Sequence, residues 1–196
     1  MPETEEKIRV FVAIHPPREL VDRLAALIQD LRRTFSHASF RWVKPEQLHL
    51  TIQFPGSVSK ASLNAWEEAV VEAVGRHRAF TLTVEGFGCF PTVPRARVLW
   101  AGLGGETGEL QRLKVSLDTS LKRLGYQVEP RPFHPHLTLA RIQSQGEVNR
   151  LELRRLMDPG HRERFGQWRI GSVELMQSVL GREGAVYYRL QSFQLG

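Results

Sequence analysis

The sequence feature that most constrains the fold is a short pattern that occurs twice, His-Leu-Thr starting at residue 49 and again at residue 136. In the first copy, polar and apolar residues alternate, which is the period of a β-strand with one buried face. The alternation predicts that His49 and Thr51 project together from one face of a strand. The opposite face is predicted to pack toward the core through Leu48, Leu50, Ile52 and Phe54.

The second copy has the same arrangement. Phe133, Leu137 and Leu139 form its apolar set, and His136 and Thr138 share the opposite face. A single histidine on a strand is commonly just a solvated polar residue, but two matched copies favour a functional site. We therefore predict two strands that each present an imidazole beside a hydroxyl.

Two such pairs have the groups that phosphodiester cleavage requires, provided that the strands face one another. Histidine has an ordinary pKa of about 6.5, so that one ring can accept a proton while the other donates one. Each of these transfers typically accelerates a reaction by about 10²- to 10⁴-fold. The threonine hydroxyls are short donors that suit the non-bridging phosphate oxygens, where negative charge develops. This chemistry needs no metal.

The remaining pattern predicts a mixed α+β fold, because strands and helices alternate without a strict strand-helix-strand rhythm. Predicted strands cover residues 8–14, 40–43, 48–54, 80–84, 98–103, 133–142, 170–180 and 186–193. Predicted helices cover residues 17–35, 60–76, 108–124 and 148–157. Pro55-Gly56 is expected to end the third strand. A chain of 196 residues is expected to form one domain or two small fused lobes.

Composition restricts the function classes only modestly. The formal net charge of +6 favours a polyanionic partner such as nucleic acid. The single cysteine, Cys89, excludes an internal disulfide and indicates a reducing cytoplasm. No apolar run reaches the ~18 residues of a membrane span, and the acidic start of the chain is unlike a secretory signal.

The two triplets resemble the paired HxTx motifs of the 2H phosphoesterase superfamily. Within it the sequence is most similar to the bacterial and archaeal RNA 2′,3′-cyclic phosphodiesterases, formerly called 2′-5′ RNA ligases. The similarity extends to the segments 41–43, 97–102 and 133–141, which occur in the family's order. Pro55 departs from the family, whose members commonly carry leucine at this point.

The resemblance implies a bilobed α+β domain over residues 1–196, with helices on the outside. Two similar antiparallel sheets would face each other across a central cleft, one with motif His49–Ile52 and the other with His136–Leu139. The implied activity opens a terminal 2′,3′-cyclic phosphate of RNA, for example of a tRNA fragment, to a 2′-phosphate, and can reversibly join 2′-5′ linkages. The resemblance assigns His49 as proton donor and His136 as proton acceptor, with no cofactor. A cytoplasmic monomer is expected.

Further residues are candidate substrate ligands. Arg141 matches the family's phosphate-contacting arginine, although strict alternation turns it away from His136, so that it needs a bulge to reach the cleft. Arg131 could follow the RNA backbone, and Trp42 or Phe133 could stack on a terminal base. Arg41 and Lys44 could also follow the backbone, and Phe90 could also stack. Solvated surface charge would explain each of the three basic residues equally well, whereas core packing is the favoured role for at least two of the three aromatic residues.

Three alternatives remain open at the level of sequence. A hydrolase of a small cyclic nucleotide would use the same four motif residues. An RNA-binding or assembly protein with little turnover would need charge and aromatic rings but no matched histidine-threonine pairs. A metal-dependent phosphodiesterase could use His134 with His136, yet no acidic residue accompanies them at motif spacing, so we predict no metal.

Overall fold

The computed structural model describes residues 6–36, 40–143, 149–158, 163–181 and 184–196. These residues form nine strands and four α-helices, which confirms the predicted α+β class. In chain order the elements are β1 (Lys7–Ile14), α1 (Arg18–Thr34), β2 (Phe40–Trp42), β3 (Leu50–Ser59), α2 (Leu63–Val74), β4 (Phe80–Phe90), β5 (Val98–Gly105), α3 (Thr107–Lys122), β6 (His136–Ile142), α4 (Arg150–Leu156), β7 (Arg164–Ile170), β8 (Ser172–Gly181) and β9 (Gly184–Gln194). In the described part of the chain no helix is long and apolar enough to cross a membrane.

All strand pairs are antiparallel and fall into two halves. One half has the order β3-β1-β8-β9, and the other has the order β7-β4-β5-β6 with β2 added on β6. The halves meet where β3 pairs with β6, through the single register pair Leu50–Leu137. The two predicted antiparallel sheets are therefore present, joined edge to edge into one nine-stranded sheet of described residues.

The main core lies on the sheet face that carries the apolar half of each triplet strand. Helices α1 and α3 each bury one stripe of apolar side chains at helical spacing. Each leucine side chain that is thereby removed from water stabilises the fold by about 1.5–3 kcal/mol. These helical leucines pack in one cluster with Leu50 and Leu137 of the triplets. The helical members are Leu20, Leu24, Ile28 and Leu31 of α1, and Leu110, Leu113, Leu117 and Leu121 of α3.

Strand β1 is buried on both faces. Val10, Val12 and Ile14 belong to the main core. Phe11 and Ala13 lie on the other face in a small cluster with Met176, against which Tyr187 packs. This second cluster explains the continuous apolar run in β1. It also supports one side of the cleft described below.

Several element boundaries differ from the sequence prediction. Pro55-Gly56 does not end β3, which continues to Ser59 because Gly56 adopts a φ of 84° and keeps its pairing with Val10 of β1. The segment predicted as one strand from residue 170 turns at Gly171, and the preceding β7 was not predicted. A register shift between Gly166 and Arg164 breaks the two-residue period of β7, which hides it from pattern analysis. The predicted start of the fourth helix at Val148 lies outside the described residues.

Candidate active site

The two triplets converge because their central residues are paired. Leu50 and Leu137 are register partners of antiparallel strands, and both are fully buried. The neighbours of a paired residue point to the opposite face of the pleat, so each histidine and threonine turns away from the core. Both histidines and both threonines line one cleft of about 490 Å³ between the two halves of the sheet. The strand register thus brings together the four residues that the sequence singled out: His49, Thr51, His136 and Thr138.

Each imidazole is held by the backbone two residues before it. Nδ1 of His49 lies 2.7 Å from the carbonyl oxygen of Gln47, and Nδ1 of His136 lies 2.7 Å from that of His134. A carbonyl oxygen only accepts, so in both rings Nδ1 carries the proton and donates it. The neutral rings therefore keep Nε2 as the nitrogen that can exchange protons with a substrate.

Aromatic side chains fix the two rings from the side. The ring centroid of His49 lies 5.1 Å from those of Phe11 and Tyr187. The centroid of His136 lies 5.0 Å from that of Phe90 and 5.9 Å from that of Trp100. These contacts hold one imidazole directly before β3 and the other at the start of β6, as precise proton transfer requires.

Burial favours the neutral form of both histidines. It lowers the pKa of His49 to about 4, opposed by the hydrogen bond to Gln47 and assisted by the charges of His15, His136 and Arg141. Burial also lowers the pKa of His136, opposed by its hydrogen bond to His134 and assisted by the charges of His134 and Arg141. A bound phosphate anion has the opposite effect, because its negative charge stabilises an imidazolium.

A buried acidic residue behind His49 was missed at the sequence level. Glu174 of β8 contacts Nδ1 of His15 and accepts a hydrogen bond of 3.2 Å from Nη1 of Arg189. The partnership with His15, followed by that with Arg189, lowers the pKa of the Glu174 carboxyl. The ring centroid of His15 lies 5.8 Å from that of His49. A glutamate inside the apolar run of β8 was the available signal, since a buried charge needs a partner.

Both triplet strands carry a bulge at the same position. Ala13 pairs with Thr51 and Val12 with Gln53, so Ile52 is the extra residue of β3. In β6, Trp100 pairs with Thr138 and Leu99 with Ala140, which leaves Leu139 as the extra residue. A bulge reverses the alternation beyond it and re-aims the side chains that follow.

The bulges place two further side chains in the cleft. Arg141 turns to the same side as His136, so the bulge that its predicted role requires is present. Phe54, by contrast, was expected to face the core, and this prediction is wrong. The bulge at Ile52 turns Phe54 into the cleft and directs Gln53 into the interior, where it is 2% exposed.

Buried Gln53 is satisfied by polar partners from outside its sheet. Its side-chain nitrogen donates to Asp118 of α3, and its side-chain oxygen accepts a hydrogen bond of 2.7 Å from the Tyr126 hydroxyl. Asp118 in turn accepts a hydrogen bond of 2.6 Å from Lys114. A buried amide with partners on both its atoms holds the bulge in one conformation, because any slip would leave these groups unpaired.

The other predicted ligands divide into two groups. Trp42, Arg41 and Lys44 line the cleft, and so does Arg9, which was not predicted. Arg131 is exposed and forms an ion pair of 2.9 Å with Glu129, while Phe133 packs partly buried against Lys114. Neither Arg131 nor Phe133 is among the described residues that line the cleft. Within the described ranges no three His, Cys, Asp or Glu side chains cluster as a metal site would require.

Known proteins are similar to this chain over most of its length. The model of the LigT like Phosphoesterase family matches residues 14–100 and 104–187, so that each segment contains one triplet. An RNA 2′,3′-cyclic phosphodiesterase from Aeropyrum pernix is 34% identical over 87% of this chain and 94% of its own length. The crystal structure of TT0787 from Thermus thermophilus superposes with a TM-score of 0.79 at 27% identity, covering 96% of this chain and 98% of that one. Escherichia coli LigT complexed with 3′-AMP gives a TM-score of 0.74 at 28% identity, covering 97% and 99%.

Proposed function

The chain belongs to the LigT-like phosphoesterase family, and we propose that it hydrolyses the terminal 2′,3′-cyclic phosphate of RNA to a 2′-phosphomonoester by two-histidine acid–base catalysis. The observation that carries the proposal is the Leu50–Leu137 pair, which puts both His-Thr pairs into one cleft. The name of the Aeropyrum relative and the 3′-AMP complex of Escherichia coli LigT support a substrate of this class.

In the proposed reaction, Nε2 of His136 removes a proton from water, and the water oxygen attacks phosphorus. The bond between phosphorus and O3′ breaks, and O3′ takes a proton from Nε2 of His49. The product carries a 2′-phosphate and a free 3′-hydroxyl. Thr51 and Thr138 donate hydrogen bonds to the non-bridging oxygens, and Arg141 balances their charge.

The protonation state of His49 couples substrate binding to proton uptake. With its pKa lowered to about 4, His49 is neutral in the empty cleft at neutral pH. To serve as the acid it must gain a proton when the phosphate anion binds, since the anion raises the pKa of the nearby imidazole. The same groups would catalyse 2′-5′ ligation when an RNA 5′-hydroxyl replaces water as the attacking group.

In this reaction the chain acts as one catalytic domain. Residues of both sheet halves contribute to the cleft, so neither half holds a complete site. One chain supplies both triplets, and the proposed reaction therefore needs no second copy.

The test is chromatographic and mass analysis of a short RNA that ends in a 2′,3′-cyclic phosphate, incubated in excess EDTA. Wild type should convert the cyclic end to a 2′-phosphate that stays on the RNA, and His49→Ala and His136→Ala should each lower the rate at least about 100-fold. His77→Ala is the matched control, because this histidine bonds Ser116 and lies outside the cleft. An intact cyclic phosphate with wild type, or full activity in either triplet variant, would contradict the proposal.

A further inference from the structure

We propose that His15, anchored by Glu174, is a positioning residue that controls the protonation of His49, the proton donor of the proposed reaction. This inference rests on the proposed function for its role in catalysis, whereas the cluster itself is defined by contacts within the protein. His15 and Glu174 lie behind His49 and are not among the described residues that line the cleft. No step of the proposed reaction uses them, although they include a buried carboxylate.

The pairing of three strands brings these side chains into one line. Ile14 of β1 pairs with Leu50 of β3, so the residues directly beyond this pair, His15 and His49, are neighbours. Their ring centroids lie 5.8 Å apart, and the rings are tilted by 39°. Glu174 lies on β8, which pairs with the other edge of β1. His15 therefore stands between the carboxylate and His49.

The carboxylate of Glu174 is engaged through both of its oxygens. Oε2 contacts Nδ1 of His15, and Oε1 accepts a hydrogen bond of 3.2 Å from Nη1 of Arg189. A carboxylate only accepts, so Nδ1 of His15 carries a proton. The partnership with His15, followed by that with Arg189, lowers the pKa of the Glu174 carboxyl and keeps it ionised. In the proposed arrangement His15 is the imidazolium of this ion pair.

A positive charge on His15 acts on the neighbouring ring of His49. Two adjacent imidazolium rings repel each other, so His49 is harder to protonate and releases its proton more readily. Burial is the main cause of the lowered pKa of His49, and the charge of His15 adds to it. The other charged groups that act on His49 are His136 and Arg141 of β6, while Tyr187 of β9 packs against its ring. Once the substrate phosphate has charged His49, His15 thus favours proton transfer to O3′.

The other half of the sheet has a glycine in the equivalent place. The register partner of His136 is Gly102 of β5. A Cβ atom on Gly102 would lie 2.7 Å from the carbonyl oxygen of Glu85, so the backbone of β4 leaves no room for a ring beside His136. The interaction with His15 therefore belongs to the imidazole that is assigned as proton donor.

The experiment is an NMR titration of the His49 imidazole in the free protein from pH 8 to pH 3.5. The His49 signal is assigned by its absence in His49→Gln. His15→Gln and His15→Phe both remove the charge, and phenylalanine keeps an aromatic ring beside His49. Both variants should raise the pKa of His49 by about 0.5 to 1 pH unit, as expected for the loss of one unit charge at this distance in a wet cleft. His77→Gln is the matched control, because this histidine bonds Ser116 and lies outside the cleft, and it should leave the pKa of His49 unchanged.

The variants also separate charge from packing. An unchanged pKa of His49 in both His15 variants would overturn the inference. The wild-type value in His15→Phe alone would also overturn it, since packing of a ring would then account for the contact.

A second measurement links the pair to the proposed reaction. In a pH series of kcat on the short RNA that ends in a 2′,3′-cyclic phosphate, the fall at high pH should move to higher pH in both His15 variants. A fall at the wild-type pH would overturn the role of His15 in proton transfer. If wild type leaves the cyclic phosphate intact, the proposed function fails, and the titration of the free protein alone decides whether His15 controls the protonation of His49.

Discussion

Burial of His49 should make the stability of the folded protein depend on pH. The pKa of this ring is lowered from its ordinary 6.5 to about 4 in the folded state, chiefly by burial. In the unfolded chain the ring is solvated and regains its ordinary pKa. Between these two pH values the unfolded state binds more protons than the folded state, so the free energy of unfolding falls as the pH drops.

The size of this effect follows from the separation of the two pKa values. One pKa unit corresponds to about 1.4 kcal/mol, so the full separation corresponds to about 3 kcal/mol. His49 is partly buried and its ring keeps contact with water in the cleft. Screening by this water reduces the effect, and we expect about 2 kcal/mol of stability to be lost between pH 7 and pH 4.

The assay is urea unfolding of wild type and His49→Gln at pH 7, 6, 5 and 4. Glutamine removes the titrating ring, so wild type should lose about 2 kcal/mol more than the variant over this range. Thr51→Val is the control, because it changes a neighbouring side chain in the cleft but keeps His49, and its pH slope should equal that of wild type. Parallel pH slopes for wild type and His49→Gln would refute the assignment of a buried, neutral His49.

Three further predictions concern the cleft and its support. Activity should fall at high pH as His49 loses its proton, and this fall should lie at higher pH for kcat than for kcat/KM, because the bound phosphate raises the pKa of His49. A fall at the same pH for both constants in a pH–rate series would exclude proton uptake on binding. Arg141→Gln should lower kcat/KM about 10- to 100-fold and Arg141→Lys less, measured on the short RNA that ends in a 2′,3′-cyclic phosphate, since a charge-assisted hydrogen bond is lost; equal losses would show that the positive charge of Arg141 does not contribute. Gln53→Leu should lower the free energy of unfolding by about 1–3 kcal/mol, because Asp118 and Tyr126 lose a buried partner, and an unchanged urea midpoint would contradict the network.

The elements and the catalytic candidates could be predicted because they depend on local periodicity. Leucines at helical spacing identified α1 and α3, and alternation around the triplets identified the strands and the shared face of each His-Thr pair. In a regular strand, such patterns predict which residues are buried. The convergence of the triplets, however, depends on the pairing of Leu50 with Leu137, which no local pattern contains.

The errors trace to residues that interrupt the period. A single extra residue in a strand exchanges the two faces beyond it, so Phe54 and Gln53 are the reverse of what alternation predicts. Gly56 allowed β3 to continue where Pro55 was expected to end it. Glu174 of β8 meets His15, directly after the end of β1, because these two strands pair. This long-range contact exists only in the folded chain, so no local pattern predicts it.

The duplicated motif supplies two nearly equivalent imidazoles, but hydrolysis needs one acid and one base. Both rings have the same tautomer and a lowered pKa, so neither their hydrogen bonds nor their burial alone divides the roles. Among the repeat residues that line the cleft, the sixth position is where the copies differ, with Arg141 in one half and Phe54 in the other. We expect the phosphate oxygens of a bound substrate to turn toward the guanidinium of Arg141, which only one half of the cleft offers at this position. This contact would give the ribose one orientation in the cleft, and that orientation would decide which histidine meets O3′ and which meets the attacking water. We therefore expect the bound substrate, rather than the two imidazoles alone, to set the division into acid and base.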